Sequence, residues 1–131
     1  MKLQPVCKLD DADYKLIDLF QQCNMTRQEA TCLVYLIRRG SGTSREIVES
    51  SPGMDQPQVS IAIRSLIDRG LVVVKEQSPT RTKGRPTNVY ISVFSLSGIL
   101  DRLITELEIQ RSKEYDRLTD MITKLESQKE G

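Results

Sequence analysis

From Tyr14 to Ile67, apolar residues recur at three- and four-residue steps, the period of helices packed by one face. Tyr14, Leu16, Ile17, Leu19 and Phe20 predict a first helix. Asp10, Asp11 and Asp13 stand at its start, where the helix dipole favours negative charge and where they fit better than as metal ligands. Thr26-Arg27-Gln28-Glu29 is a capping box for a second helix over about 27–39, with Ala30, Leu33, Val34 and Ile37 as its buried stripe and Gly40 closing it. After a break at Ser41-Gly42, Thr43 and Glu46 make another capping box for a short helix over 43–50, stopped by Ser51-Pro52-Gly53. Asp55 caps a fourth helix over 55–69, with Pro57 in the first turn, where it loses no needed hydrogen bond. Val59, Ala62, Ile63, Leu66 and Ile67 share one face of it; Gln58, Ser60, Ile61, Arg64 and Ser65 fall on the other.

The period changes after Gly70. Two runs rich in β-branched residues, 71–76 and 89–94, predict a hairpin. The segment between them, 77–88, carries Pro79, Gly84 and Pro86 and exceeds the usual hairpin loop, which favours a projecting feature. From Ser95 or Ser97 a proline-free helical pattern runs to near Leu125, about 28 residues and roughly 42 Å. Leu100, Leu103, Ile104 and Leu107 form one apolar cluster on it, and Leu118, Met121, Ile122 and Leu125 another. Gln110, Arg111 and Glu114 interrupt the seam, with Tyr115 a large apolar group beside them. A long regular coiled coil would keep those positions apolar. The pattern instead fits antiparallel or crossed pairing with a second copy, or folding back on the first helix. So much apolar surface favours a homodimer, with Leu100, Leu103, Leu107, Leu118, Met121, Ile122 and Leu125 as dimerisation residues.

The expected fold class is therefore mostly α (α+β), a winged helix-turn-helix with a two-stranded wing and a long C-terminal helix. The expected organisation is a DNA-binding domain over 1–94 and a dimerisation helix over 95–131. Composition agrees with a globular chain, at 38% hydrophobic and 28% charged, and two Phe, four Tyr and no Trp make the core aliphatic. No apolar run approaches membrane-spanning length, and the first residues lack an apolar signal core, so the expected location is cytoplasmic, with no membrane partner. Cys7, Cys23 and Cys32 are odd in number, lack a CxxC pair and have no His to join them, which argues against a disulfide framework or a zinc site. A redox role for Cys7 or Cys23 stays open.

Net charge is only +1, but its distribution is uneven. No acid lies between Glu76 and Asp101, while Arg81, Lys83 and Arg85 fall inside that interval. A wing needs positive charge near phosphates or the minor groove, and these three residues meet that need, with Gly84 allowing close backbone approach. On the fourth helix Gln56, Gln58, Ser60, Ile61 and Arg64 offer two amides, a hydroxyl, an apolar group for thymine methyls and a guanidinium, a set suited to the major groove. Each feature alone describes ordinary surface; their order, polar-faced helix then basic hairpin, points to DNA.

Met25-Thr26-Arg27-Gln28-Glu29-Ala30 with Val34-Tyr35, Gly42 to Ile47, Gln58 to Leu66, Arg69-Gly70-Leu71-Val72, and Gly84-Arg85-Pro86 with Tyr90 together resemble the DNA-binding domain of the prokaryotic TrmB-like and MarR-like transcriptional regulators. The similarity covers about 12–94. It implies a dimeric repressor or activator reading a pseudo-palindromic operator in double-stranded DNA, with Gln58, Ser60, Ile61 and Arg64 at bases and Arg81, Lys83 and Arg85 acting from the wing. The larger TrmB-like members carry a sugar-binding domain that has no counterpart after residue 125, so sugar sensing is not carried over. The alternative is a winged helix used only for protein–protein contact within a larger assembly, which the near-neutral net charge favours. An enzyme is not expected, for want of His, of a nucleophile–base pair and of a phosphate-cradling glycine loop; no cofactor or metal is expected either. Operator, regulated genes, effector and direction of regulation are not encoded legibly.

Overall fold

The computed structural model describes residues 9–78 and 87–130. Its elements are α1 (Asp11–Gln22), α2 (Arg27–Arg39), α3 (Ser44–Ser50), α4 (Gln56–Asp68), β1 (Val72–Ser78), β2 (Thr87–Ser92) and α5 (Leu96–Glu130). This is a mostly α winged helix, with a two-stranded antiparallel sheet behind the helix-turn-helix and a long final helix.

The first four helices all open on capping boxes, so their starts are set by local hydrogen bonds. Thr26 and Thr43 do this as expected, and Asp55 caps α4 as expected, with Gln58 completing a box that the sequence had not suggested. Asp10 and Asp13 add a box that the sequence reading took only as helix-start charge, with the Asp13 amide donating to Asp10 Oδ1 at 2.9 Å and the Asp10 amide to Asp13 Oδ2 at 3.0 Å. Asp13 is buried and its Oδ1 lies 2.8 Å from Arg38 Nε, which ties α1 to the end of α2.

α2 lies at the centre of the N-terminal unit. It packs against α1 on one side and α4 on another, and β2 also reaches it. The sequence predicted a single stripe; instead Glu29 through Leu36 are all buried. A helix with neighbours on several sides buries polar positions as well, provided they are bonded. Thr31 accordingly donates to the Arg27 carbonyl at 2.7 Å. Ile17 and Phe20 of α1, Leu33, Val34, Tyr35 and Leu36 of α2, Ile47 of α3, and Val59, Ala62, Ile63 and Leu66 of α4 form a mostly aliphatic core with two aromatic rings in it. Ile67, expected on the buried face of α4, lies at its margin and is exposed.

α4 ends in a Schellman motif. The Leu71 amide donates to the Leu66 carbonyl at 3.0 Å and the Gly70 amide to Ile67 at 2.9 Å, with Gly70 at φ 79°. Leu66 and Leu71 are both buried, which supplies the accompanying apolar contact and turns the chain directly into β1.

The strands extend further toward the wing tip than expected. Gln77 pairs with Asn88 and Ser78 with Thr87, so the tip is 79–86 rather than 77–88, and β2 stops at Ser92 instead of reaching Phe94. A register shift between Val74 and Glu76 leaves Lys75 as the bulged residue.

Gly42 was read as part of a break. It forms a two-bond bridge to Tyr90, donating to the Tyr90 carbonyl at 3.0 Å and accepting from its amide at 2.8 Å. A Cβ at Gly42 would stand 2.7 Å from the Tyr35 ring, which is buried. Gly42→Ala should therefore cost about 1–3 kcal/mol through overpacking, read as a lower urea midpoint. A stability equal to wild type would mean that the Tyr35 ring shifts to admit the added Cβ at little cost.

α5 forms a unit of its own from residue 97 onward. Its 35 residues span about 52 Å, longer than expected because 126–130 hold no Gly or Pro to stop it. From 108 to 129 every residue is exposed. Among the described residues no helix is long and apolar enough to cross a membrane.

Candidate nucleic-acid interface

The site is built on α4. Its apolar face is fixed in the core by Val59, Ala62, Ile63 and Leu66, which turns Gln56, Ser60, Ile61 and Arg64 outward. Ile61 is 70% exposed, and the exposed Arg64 makes no hydrogen bond or ion pair with any described residue.

The two glutamines are placed differently. Gln58 is half-buried and its carbonyl accepts the Asp55 amide at 3.0 Å, so it serves the cap of α4 in addition to any outside contact. Gln56 is exposed; its amide donates to Ser44 Oγ at 2.8 Å and to Ser60 Oγ at 3.4 Å. Ser44 is thus part of the site, though the sequence reading did not select it. It is the first residue of α3, set there by the Thr43 cap, and that position in a helix-turn-helix faces the start of the second helix.

A groove of about 210 Å³ is lined by Ser44, Ser60, Ile63, Arg64, Ile67 and Tyr90, where α3, α4 and β2 meet. The Asn88 amide donates to the Tyr90 hydroxyl at 3.3 Å, which links the base of the wing to this groove. Arg81, Lys83, Gly84 and Arg85 lie outside the described residues.

Behind the exposed face, Glu29 fastens α4 to α2. Its Oε1 accepts the Thr26 amide at 2.9 Å and lies 3.6 Å from Arg69 Nη1, and its Oε2 accepts the Ser65 hydroxyl. Burial is the largest influence on this carboxyl and opposes its ionisation. The Ser65 and Thr26 bonds and the Arg69 charge together outweigh it, and its pKa lies below the ordinary value. Three residues further along α2, Cys32 is pushed up to about 12 by burial and by the Glu29 charge, so its thiol stays protonated. Cys23 is half-buried at the end of α1, and Cys7 lies outside the described residues.

Of the residues expected at a dimer contact, Leu118, Met121, Ile122 and Leu125 are exposed and Leu100 and Leu107 half-buried. Leu103 is 1% exposed. Among the described residues no group of three or more His, Cys, Asp or Glu could hold a metal ion.

In overall structure the chain is similar to TrmBL2, described as an archaeal chromatin protein with a novel mode of DNA binding, with TM-score 0.67 and 21% identity over 86% of this chain and 41% of that one. The chain thus spans about two-fifths of the length of TrmBL2, and at this identity the likeness is one of fold. NadR, solved in complex with 4-hydroxyphenylacetate, aligns with 93% of this chain and 86% of its own at 17% identity, but its TM-score of 0.45 carries no weight. No curated protein matches the chain in sequence. The family model described as the sugar-specific transcriptional regulator TrmB matches residues 20–93, more than half of the sequence, and the chain belongs to the TrmB family of transcriptional regulators.

Proposed function

We propose that the chain is a cytoplasmic, sequence-specific regulator that binds double-stranded DNA as a homodimer. α4 enters the major groove, and the wing, with Arg81, Lys83 and Arg85 at its tip, lies on the backbone or in the minor groove. The observation that carries this reading is the outward pair Ile61 and Arg64 on a helix whose opposite face is locked in the core. A large apolar side chain held in water beside an unengaged guanidinium suits a thymine methyl and a guanine edge. Gln56, which donates to both Ser60 and Ser44, would present the three side chains as one polar group. TrmBL2 is described as a DNA-binding chromatin protein, which supports the same partner here. As a member of a regulator family the chain is not an enzyme.

Arg64→Ala should cost about 1–3 kcal/mol on the preferred sequence and relax preference at one base pair. Competition binding against a panel of single-base variants measures this. A loss equal on all sequences would move Arg64 to a phosphate.

One observation favours a protein-docking winged helix instead. A groove of about 320 Å³, lined by Gln28, Gln58, Ile61, Ala62 and Ser65, continues from Ile61 to the start of α2 and could take an apolar side chain of a partner. Salt separates the readings, since DNA binding must weaken steeply with ionic strength through counterion release.

A further inference from the structure

α5 carries a heptad seam that its polar middle disguises. Leu100, Ile104, Leu107, Arg111, Glu114, Leu118, Met121 and Leu125 follow one another at alternating steps of four and three, the spacing of core positions in a coiled coil. At 100° per residue they fall within about 100° of the helix circumference. Ile104, Leu118, Met121 and Leu125 are 51–59% exposed, Arg111 and Glu114 are exposed, and Leu100 and Leu107 are half-buried. Six of the eight positions are apolar, and the two charges have opposite sign.

We propose that two copies of α5 pair as an antiparallel coiled coil whose two-fold axis passes between Ser112 and Lys113. This rests on the homodimer reading above and goes further by fixing orientation and register.

Charge complementarity selects the arrangement. In an antiparallel pair about that axis, Arg111 of each copy meets Glu114 of the other, so the two interrupting charges become two reciprocal ion pairs. Leu107 then meets Leu118, Ile104 meets Met121, and Leu100 meets Leu125 of the second copy. Every layer is either apolar on both sides or oppositely charged. A parallel in-register pair would instead set Arg111 against Arg111 and Glu114 against Glu114, two like-charge layers in one core. Sliding the antiparallel pair by one heptad sets Glu114 against Ile104 and Arg111 against Leu107, burying charges with no partner. A single polar layer that fixes register at some cost in stability is a well-attested use of buried charge.

Helix length agrees independently. α5 runs Leu96–Glu130, with Lys113 at its midpoint, so an axis between Ser112 and Lys113 leaves the two helices flush within one residue at both ends. The polar interruption therefore does not argue against a coiled coil; it argues for this one.

Sedimentation of the full chain tests the pairing through charge exchange. Wild type should be a dimer. R111E and E114R should each weaken it by about 100-fold, since each sets like charges together in both central layers, and R111E/E114R should return to within a few-fold of wild type. In a parallel dimer all four chains hold two like-charge layers, and the double exchange rescues nothing. Circular dichroism confirms that each variant keeps its helices.

A second measurement leaves the charges alone. Under mild oxidation an equimolar mixture of L107C and L118C chains should give a 107–118 disulfide, identified by peptide mass spectrometry so that native thiols do not confuse the result. L118C alone should give no 118–118 link, because those positions would lie about 16 Å apart along the axis, beyond disulfide reach. A 118–118 link, or a double exchange that fails to rescue, overturns the orientation and leaves the homodimer standing. A wild-type chain that sediments as a monomer overturns both.

Discussion

Replacing Glu29 with alanine should lower stability by about 2–4 kcal/mol, read as a fall in urea midpoint at unchanged slope. The size follows from three losses at one buried carboxylate. The cap of α2 loses the half that reaches back to the Thr26 amide. The Ser65 hydroxyl, half-buried on α4, loses a charged acceptor. Arg69, just past the end of α4, loses the carboxylate 3.6 Å away. Glu29→Gln keeps the shape and one acceptor, and should cost about half as much. The pH dependence has a definite sign. Because the folded pKa lies below the ordinary 4.5, ionised Glu29 stabilises the fold above that value. The contribution is lost as pH falls through the lowered folded pKa, and Glu29→Gln should flatten the acid limb of the stability profile. An alanine variant as stable as wild type would mean that apolar packing alone holds α4 to α2.

Replacing Arg81, Lys83 and Arg85 together with alanine should take about 2.7 from the slope of log affinity against log salt, at about 0.9 per phosphate contact. Over a fourfold rise in salt, three such contacts account for about 40-fold in affinity. Base preference should change little, because phosphate contacts position the protein while α4 reads the sequence. An unchanged slope would remove the wing from the interface. The strands leave a tip of 79–86, shorter than the basic segment suggested, and the Gly42–Tyr90 bridge anchors its base close to α4.

Most of this architecture was legible because it is written locally. Capping boxes at Thr26 and Thr43, the Asp55 cap, and the glycines after α2 and α4 fix helix limits through residues three or four apart. What escaped is long-range or lacks a period. Gly42 pairs with Tyr90 through backbone atoms alone, and a one-residue bridge leaves no alternation to find. The Glu29–Ser65–Arg69 cluster joins residues far apart in sequence, and Glu29 had already been assigned to its cap. Burial all round α2 depends on how many neighbours a helix acquires, which its own stripe does not state. On α4 the polar face was read correctly for Ser60, Ile61 and Arg64. Gln58 is half-buried and serves the cap of α4, which its place on the helix circumference did not state. On α5 the charged interruption was legible as a break; its meaning needed the length of the helix, whose midpoint coincides with it.

Selection of bound fragments from the source genome tests the central claim most directly. The account predicts enriched fragments that share a pseudo-palindromic element, with half-site centres 10–10.5 base pairs apart or a whole multiple of that. The chain should bind these about 1,000-fold or more tighter than random duplex at physiological salt. Retention of random duplex as tightly as any selected fragment, or no retention of DNA at all, would contradict it.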